Sequence, residues 1–190
     1  MTNIERFESL LQSVKRPGID KLVEYIRKSD FYTAPASTRF HGDFEGGLLQ
    51  HSLNVYDCLL SKKNNPIWGA QLAEVSDDTL KIVALCHDLC KTYFYGTEKR
   101  NKKDENGKWQ QVDVYTYDNA YPLGHGEKSV FFLLQYIKLN MMEIAAIRFH
   151  MGAYECKEIW NDLGAAYEKW PLCLALHEAD AEATHLLEKK

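Results

Sequence analysis

Residues 80–89, LKIVALCHDL, place a histidine and an aspartate, His87 and Asp88, inside an apolar run. The apolar spacing predicts a buried helix. Burying an imidazole or an ionised carboxylate is costly unless a partner replaces the lost hydration. The pair therefore requires a compensating group, and a metal ion is the simplest candidate.

Further potential ligands occur in four other segments, each where a predicted helix should face the core: His51, His125, His150 and Asp180. His51 lies on the apolar stripe of residues 48–60, and Asp180 lies on the inward face of the last predicted helix. His87 and Asp88 are about 100° apart around a helix, so they converge only on something close to it. Two imidazoles and two carboxylates suit Mn, Fe, Co, Ni, Zn or Mg better than a structural zinc cluster.

The composition is that of an ordinary globular protein. With 190 residues, of which 45% are hydrophobic and 26% charged, the chain is expected to form one domain, residues 1–190. The net charge of −4 argues against a broad nucleic-acid-coating surface. The N-terminus does not resemble a signal peptide, and no apolar stretch approaches the roughly 20 residues that span a bilayer. No membrane partner is therefore expected.

The five cysteines have no repeated spacing, which predicts free thiols and a cytoplasmic protein. Cys86 and Cys90 flank the His-Asp pair at helical i,i+4 spacing. They are interpreted as small buried hydrophobic residues, and a zinc site is the open alternative.

The hydrophobic periodicity predicts an all-α fold with a small inserted β-hairpin, at about residues 92–121. Residues 1–30 should form an N-terminal helical segment. In the hairpin, β-rich stretches at 92–95 and 109–117 flank a charged run that ends near Asn106-Gly107, a strong turn signal. Its basic residues and Trp109 could guide a nucleotide or single strand, or simply form a solvated turn. The expected helices cover residues 4–14, 19–28, 48–60, 68–74, 77–89, 127–139, 142–151, 158–167 and 171–188.

The order of these residues resembles the H…HD…D signature of the HD-domain superfamily of metal-dependent phosphohydrolases. The segments FEGGLLQHSL, CHDLCK, LGHGEK and FHMG, at residues 44–53, 86–91, 123–128 and 149–152, are similar to the HD domain of bacterial 3′–5′ exoribonucleases. The resemblance covers roughly residues 40–188 and implies an HD-type helical bundle. It also implies a first divalent ion, with manganese preferred, on four ligands: His51, His87, Asp88 and Asp180.

The resemblance implies a second ion held by His125 and His150, with Asp88 bridging the two. Many such relatives have another histidine directly after the one at position 150. Met151 occupies that place here, which implies a weaker second site. One or two divalent ions are therefore expected as cofactors.

Divalent ions make a bound water easier to deprotonate, so that it can attack phosphorus. Asp88 and His87 are accordingly predicted to be catalytic residues. The resemblance assigns Lys91 to catalysis and phosphate binding, and its alternative is an exposed lysine near a helix end. His177 either orients Asp180 or only packs. Further substrate-binding candidates are His41, Arg39 and Lys128.

These predictions favour a metal-dependent phosphohydrolase that cleaves a phosphate ester of a nucleotide or related small molecule. A phosphodiesterase or exonuclease that acts on cyclic nucleotides or short oligonucleotides is the first alternative. The second alternative, of a different class, is a sensor that binds a phosphorylated ligand without cleaving it. The expected partner is thus a nucleotide or small phosphate ester, or a short single-stranded nucleic acid.

Overall fold

The computed structural model describes residues 1–38, 41–117 and 121–188, and this part of the chain is mostly helical. A small antiparallel hairpin of β1 (Tyr95–Lys103) and β2 (Trp109–Tyr117) follows the fourth helix. At this level, the predicted helical fold with a small hairpin is confirmed. The α-helices are α1 (Asn3–Gln12), α2 (Ile19–Lys28), α3 (Gly47–Lys63), α4 (Asp77–Cys86), α5 (His125–Leu133), α6 (Met141–Arg148), α7 (Trp160–Lys169) and α8 (Pro171–Glu182).

Helix α4 lies at the centre of the core. It contacts α3, α1 and α6, and its residues from Leu80 to Cys86 are almost all buried, on every side of the helix. The Ser76 side chain caps its start by accepting a hydrogen bond from the backbone N–H of Thr79. A helix that is apolar all round is stable only when it is surrounded by protein, which explains its central place.

Helix α4 ends earlier than predicted. It was expected to continue to about residue 89, but it stops at Cys86, and a short 3-10 helix, Leu89–Lys91, follows. The backbone of Asp88 leaves helical geometry, with φ −103° and ψ 19°. This break brings the His87 and Asp88 side chains to within 3.4 Å of each other, which a continuous helix would oppose.

The first strand of the hairpin begins later in the sequence than predicted. The stretch at 92–95 was expected to form that strand, but β1 begins at Tyr95 and runs through the charged segment. Because backbone hydrogen bonds form the ladder and these side chains are exposed, the charges cost little in this strand. The predicted turn is confirmed: Gly107 has φ +77°, and Asp104 accepts backbone hydrogen bonds within the loop.

Residues 68–74 were also predicted to form a helix, and they form a series of turns instead. The backbone N–H of Gly69 donates to the carbonyl of Asn65, and that of Leu72 donates to Trp68, without a continuous helical ladder. Glycine is a weak helix former, and only Leu72 is fully buried here, so packing does not compensate. Among the described helices, none combines the length and the apolar character needed to cross a bilayer.

Candidate metal centre

The six predicted ligands come from five separate parts of the fold. They are His51 on α3, His87 and Asp88 after α4, His125 at the start of α5, His150 after α6, and Asp180 on α8. A close approach of α5 to α6 helps to bring two of these segments together. A Cβ atom at Gly126 would lie 2.3 Å from the carbonyl oxygen of Arg148, so only glycine fits there.

All six residues meet around the carboxylate of Asp88. Its Oδ2 lies 3.4 Å from Nε2 of His87 and 3.7 Å from Nε2 of His51. Its Oδ1 lies 2.6 Å from Nε2 of His125 and 3.6 Å from Nε2 of His150. Asp180 completes the group, with Oδ1 at 3.2 Å from Nε2 of His51.

Three of the imidazoles are held so that Nε2 points into the cluster. His87 and His150 are hydrogen-bonded through Nδ1 to the backbone carbonyl oxygen three residues earlier, at 2.8 and 2.6 Å. His51 is hydrogen-bonded through Nδ1 to the carboxylate of Glu188, at 3.1 Å. Since carbonyl and carboxylate oxygens only accept hydrogen bonds, Nδ1 of each ring carries a proton, and Nε2 is the atom that could offer a lone pair to a cation.

The cluster therefore has more acceptors than donors. Nε2 of His51 and Nε2 of His87 face each other at 3.3 Å. Nε2 of His150 is buried and has no hydrogen-bond partner among the residues that the structure describes. Lone pairs of nitrogen and carboxylate oxygen that converge in a buried place form a donor set that fits a divalent cation. The combinations His51–His87–Asp88, His87–His150–Asp180 and Asp88–Cys90–His125 each bring their ligand atoms within 4.8 Å of one another.

The charges around Asp88 favour its ionised form. Burial alone would raise the pKa of this carboxyl group, but nearby Lys91, His87 and His125 hold it well below its usual range. Lys91 places Nζ 2.7 Å from Oδ2 of Asp88, and this carboxylate raises the pKa of the lysine despite burial. Asp88 is thus an anion, and His125, whose pKa burial lowers, is a neutral ring beside it.

On the opposite side, two further carboxylates face His51. Burial opposes a charge on this ring, but hydrogen bonds to Asp180 and Glu188 raise its pKa to about 9. Burial likewise opposes ionisation of Asp180 and Glu188, and their hydrogen bonds to histidine hold both pKa values well below the ordinary range. For His150, Asp88 and Asp180 outweigh burial and raise the pKa. Without a cation, protons therefore occupy part of this cluster.

Glu188 is a residue of this site that the sequence analysis missed. Its carboxylate accepts a hydrogen bond from the Asn54 amide at 2.8 Å, and lies 2.8 Å from Nδ1 of His41 as well as next to His51. A short π-helix, Ala183–Leu187, carries it back towards α3. Glu188 follows Asp180 by eight residues, a spacing that places two side chains near one helix face, and this signal could have identified it.

The four predicted substrate-binding residues differ in how they are placed relative to the cluster. Lys91 lies beside Asp88 and is mostly buried, so the alternative of an ordinary exposed lysine is wrong. His41 reaches the centre through Glu188, while Lys128 is buried with Nζ 5.2 Å from the ring centroid of Phe94. Arg39 lies outside the described residues.

Among the described residues, no hydrogen bond joins His177 to Asp180. Its Nδ1 lies 2.7 Å from the backbone carbonyl oxygen of His150, so it braces the segment that carries a predicted ligand. The suggestion that it orients Asp180 is therefore wrong. His185, which was not assigned to the site, is exposed.

Cys86 and Cys90 are both buried free thiols, as the sequence analysis favoured. They differ in their surroundings. The Sγ atom of Cys90 lies 3.2 Å from Nδ1 and 3.7 Å from Nε2 of His125, one of the predicted ligands. Burial raises the pKa of the Cys90 thiol to about 12, so the group is protonated at neutral pH when no cation is near.

An aromatic cavity of about 500 Å³ lies next to this side of the centre. Its walls include Cys90 and Lys128, and most of the rest are aromatic rings. Tyr25 and Tyr136 stack on each other at 5.1 Å, and Phe94 lies on the same cavity. A cavity with these walls suits a flat, unsaturated ring system.

Comparison with known proteins gives one partial similarity. No family model matches the chain. No solved structure matches it. A dihydroneopterin 2′,3′-cyclic phosphate phosphodiesterase from Methanocaldococcus jannaschii is 31% identical to it over 88 residues. The match covers 45% of this chain and 32% of that protein, so the chain spans about a third of the length of this curated relative.

Proposed function

We propose that this protein is a divalent-cation-dependent phosphohydrolase that cleaves a phosphodiester of a small, ring-bearing compound. The observation that carries the proposal is the convergence of three oriented imidazole Nε2 atoms and two carboxylates, those of Asp88 and Asp180, in one buried cluster. A purely structural cluster would be expected to pair its acceptors with donors, and this one leaves Nε2 of His150 unpaired within the described chain.

The residues fit one or two cations. His51, His87, Asp88 and Asp180 would hold the first, and Asp88, His125 and His150 would contribute to the second. When bound, such ions attract phosphate oxygens and lower the pKa of a coordinated water towards neutrality. The nitrogen and oxygen ligands suit Mn, Fe, Co, Ni, Zn or Mg, and manganese remains the preferred ion for the first site.

The chain's own residues prepare this chemistry in three ways. Asp88 is held as an anion between the two sides of the cluster, so it can be shared by two cations. Glu188 and the two backbone carbonyls fix the orientation of three histidine rings. Lys91, next to Asp88, carries the positive charge that would bind a non-bridging phosphate oxygen as negative charge develops there.

Two independent features support the choice of substrate class. The partial relative is named for a cyclic phosphodiester of a pterin compound. The aromatic cavity beside Cys90 and Lys128 is large enough for a bicyclic ring, and its walls would stack against one. Together they favour a 2′,3′-cyclic phosphate carried by a pterin or nucleoside over a simple phosphomonoester.

The test is hydrolysis by the cation-loaded protein of three substrate types: 2′,3′-cyclic phosphates of dihydroneopterin and nucleosides, mononucleotides, and end-labelled oligonucleotides. We expect ring opening of the cyclic phosphates, and its loss in Asp88→Asn. The matched control is Asp57→Asn, which makes the same change on α3 at a half-exposed residue paired with Arg6. Activity on mononucleotides alone would instead support the phosphomonoesterase expected from sequence.

Two other outcomes would favour the remaining alternatives. Shortening of oligonucleotides without action on any cyclic phosphate would indicate an exonuclease, for which the basic, exposed hairpin is the only supporting feature within the described residues. Background turnover in both wild type and Asp88→Asn, with the cyclic phosphate still bound, would indicate a sensor.

A further inference from the structure

We propose that Cys90 is a thiolate ligand of the second cation, so that this site is a mixed set of Asp88, Cys90 and His125. The inference rests on the proposed function, because it assigns the donors of the same centre. It gives a role to a buried thiol that the H…HD…D signature does not include.

The distances among Cys90, His125 and Asp88 are the first support for this assignment. The Sγ atom of Cys90 lies 3.7 Å from Nε2 of His125, and that nitrogen lies 2.6 Å from Oδ1 of Asp88. Two ligands of one tetrahedral zinc, with Zn–S of about 2.3 Å and Zn–N of about 2.0 Å, are separated by about 3.5 Å. The sulfur and the nitrogen are thus already spaced as ligands of a single ion, and all three residues have donor atoms within 4.8 Å of one another.

A second observation points to a ligand at the same place. Nε2 of His150 is buried, lacks a hydrogen-bond partner in the described chain, and lies 3.6 Å from the same Oδ1 of Asp88. The His125 and His150 ring centroids are 5.3 Å apart. Together with this oxygen of Asp88, the side chains of Cys90, His125 and His150 therefore provide four potential ligand atoms at this end of the cluster.

Cys90 also compensates for a residue that this chain lacks. Where the resemblance implies a second histidine, directly after His150, this chain has Met151, a weak ligand. Cys90 lies on the 3-10 helix that follows Asp88, which is a different segment from the one that carries His150. In the proposed site the sulfur of Cys90 would take the place of that nitrogen.

Binding of the cation by Cys90 requires no oxidation or reduction. As the cation binds, the S–H bond of Cys90 breaks, a sulfur–metal bond forms, and the proton passes to solvent buffer. Thiolate is a softer ligand than carboxylate or imidazole, so this site should prefer Zn²⁺ or Co²⁺ over Mg²⁺ and Mn²⁺. The two cation sites of the centre should therefore differ in selectivity.

Cobalt titration of the full chain tests the inference. Wild type should bind two equivalents of Co²⁺, and the weaker equivalent should produce a near-ultraviolet charge-transfer band from sulfur to cobalt. Cys90→Ser should lose the band and bind the second equivalent at least about 10-fold more weakly. Cys86→Ser is the matched control: it removes a buried thiol four residues earlier, outside the cluster, and should retain both.

The outcomes separate the two proposals. No cobalt binding by wild type would overturn the proposed function as well as this inference. Two bound cobalt ions without a sulfur band, or a band that survives in Cys90→Ser, would overturn the inference alone. If Cys90→Ser does not fold, cobalt-edge X-ray absorption of wild type decides, because a sulfur neighbour of the metal is expected and its absence would contradict the assignment.

Discussion

Two buried polar clusters in this protein are built on opposite principles. In the first, the side chain of Glu143 on α6 is fully buried and accepts two hydrogen bonds from Arg16, at 2.7 and 2.8 Å. The Thr79 hydroxyl and the backbone N–H of Asn140 also donate to it. In the second, around Asp88, ring nitrogens and carboxylate oxygens face one another, and Nε2 of His150 has no hydrogen-bond partner in the part of the chain that the structure describes.

The difference separates a structural cluster from a candidate functional one. Around Glu143 every carboxylate oxygen has donors of the protein itself, so the cluster is complete without any ligand. Around Asp88 the described chain provides no hydrogen-bond partner for Nε2 of His150, and it places Nε2 of His51 against Nε2 of His87, which costs stability unless a cation binds there. Burial alone therefore does not identify a site, and the balance of donors and acceptors does.

The largest expected effect comes from Asp88→Asn. The amide cannot be shared as an anion between two cations, so both should bind weakly and phosphodiester hydrolysis should fall by roughly 1000-fold or more. Metal content and kcat/KM measure the change, with Asp57→Asn as control. If Asp88→Asn kept wild-type metal content, the two clusters would not differ in the way described.

Glu143→Gln should lower the stability of the fold and leave cation binding unchanged. It leaves the guanidinium of Arg16 half-buried without its charge partner, and the free energy of unfolding should fall by about 3 kcal/mol. Urea denaturation measures this loss, and cobalt affinity should match wild type. Glu24→Gln, which removes an exposed partner of Lys28, should leave the stability essentially unchanged.

Glu188→Gln should weaken cation binding without abolishing it. The change removes the negative charge that orients His51, and such losses typically reduce metal affinity about 10–100-fold. Glu182→Gln is the matched control, because Glu182 is close in sequence but pairs with Lys62 instead. Equal cobalt affinity in wild type and Glu188→Gln would show that the ring is held by other contacts.

Acid should reduce the stabilisation that Glu143 provides. Burial opposes its ionisation, but hydrogen bonds from Arg16, Asn140 and Thr79 hold its pKa below the ordinary value. The unfolded chain therefore binds the proton more readily, and the contribution is present above about pH 4.3 and disappears as pH falls through the folded-state pKa. The difference in unfolding free energy between wild type and Glu143→Gln should thus shrink between pH 7 and acid pH. A constant difference would contradict this.

The smallest effect is expected in the hairpin, where charges are exposed and belong to neither cluster. Lys102→Gln and Lys108→Gln should leave stability, cobalt affinity and hydrolysis of cyclic phosphates within error of wild type. Salt-dependent binding of a labelled oligonucleotide is the complementary measurement. A large loss of hydrolysis would assign the hairpin to the substrate path.

Much of the local structure could be predicted from residue patterns. Helix α2 has the predicted bounds, Ile19–Lys28, because its apolar spacing, the preceding Gly18 and the terminal basic residues agree. The helix predicted at residues 68–74 was wrong, because an apolar pattern does not guarantee a helix when glycine interrupts it and little of the segment is buried. In the hairpin, the turn was predictable from Asn106-Gly107, but not the extent of β1, since backbone pairing does not depend on charge.

The residue pattern alone identifies the side chains that are costly to bury: His87 and Asp88 in an apolar run, and a histidine or aspartate on several other inward faces. Local periodicity is sufficient for this, because burial of a helix face follows its residue spacing. Only the tertiary structure decided which nitrogen of each ring faces Asp88, and that Glu188 and Cys90 lie beside these rings. Those relations join residues that are far apart in sequence or depend on a helix that ends early, so they arise from packing and not from local pattern.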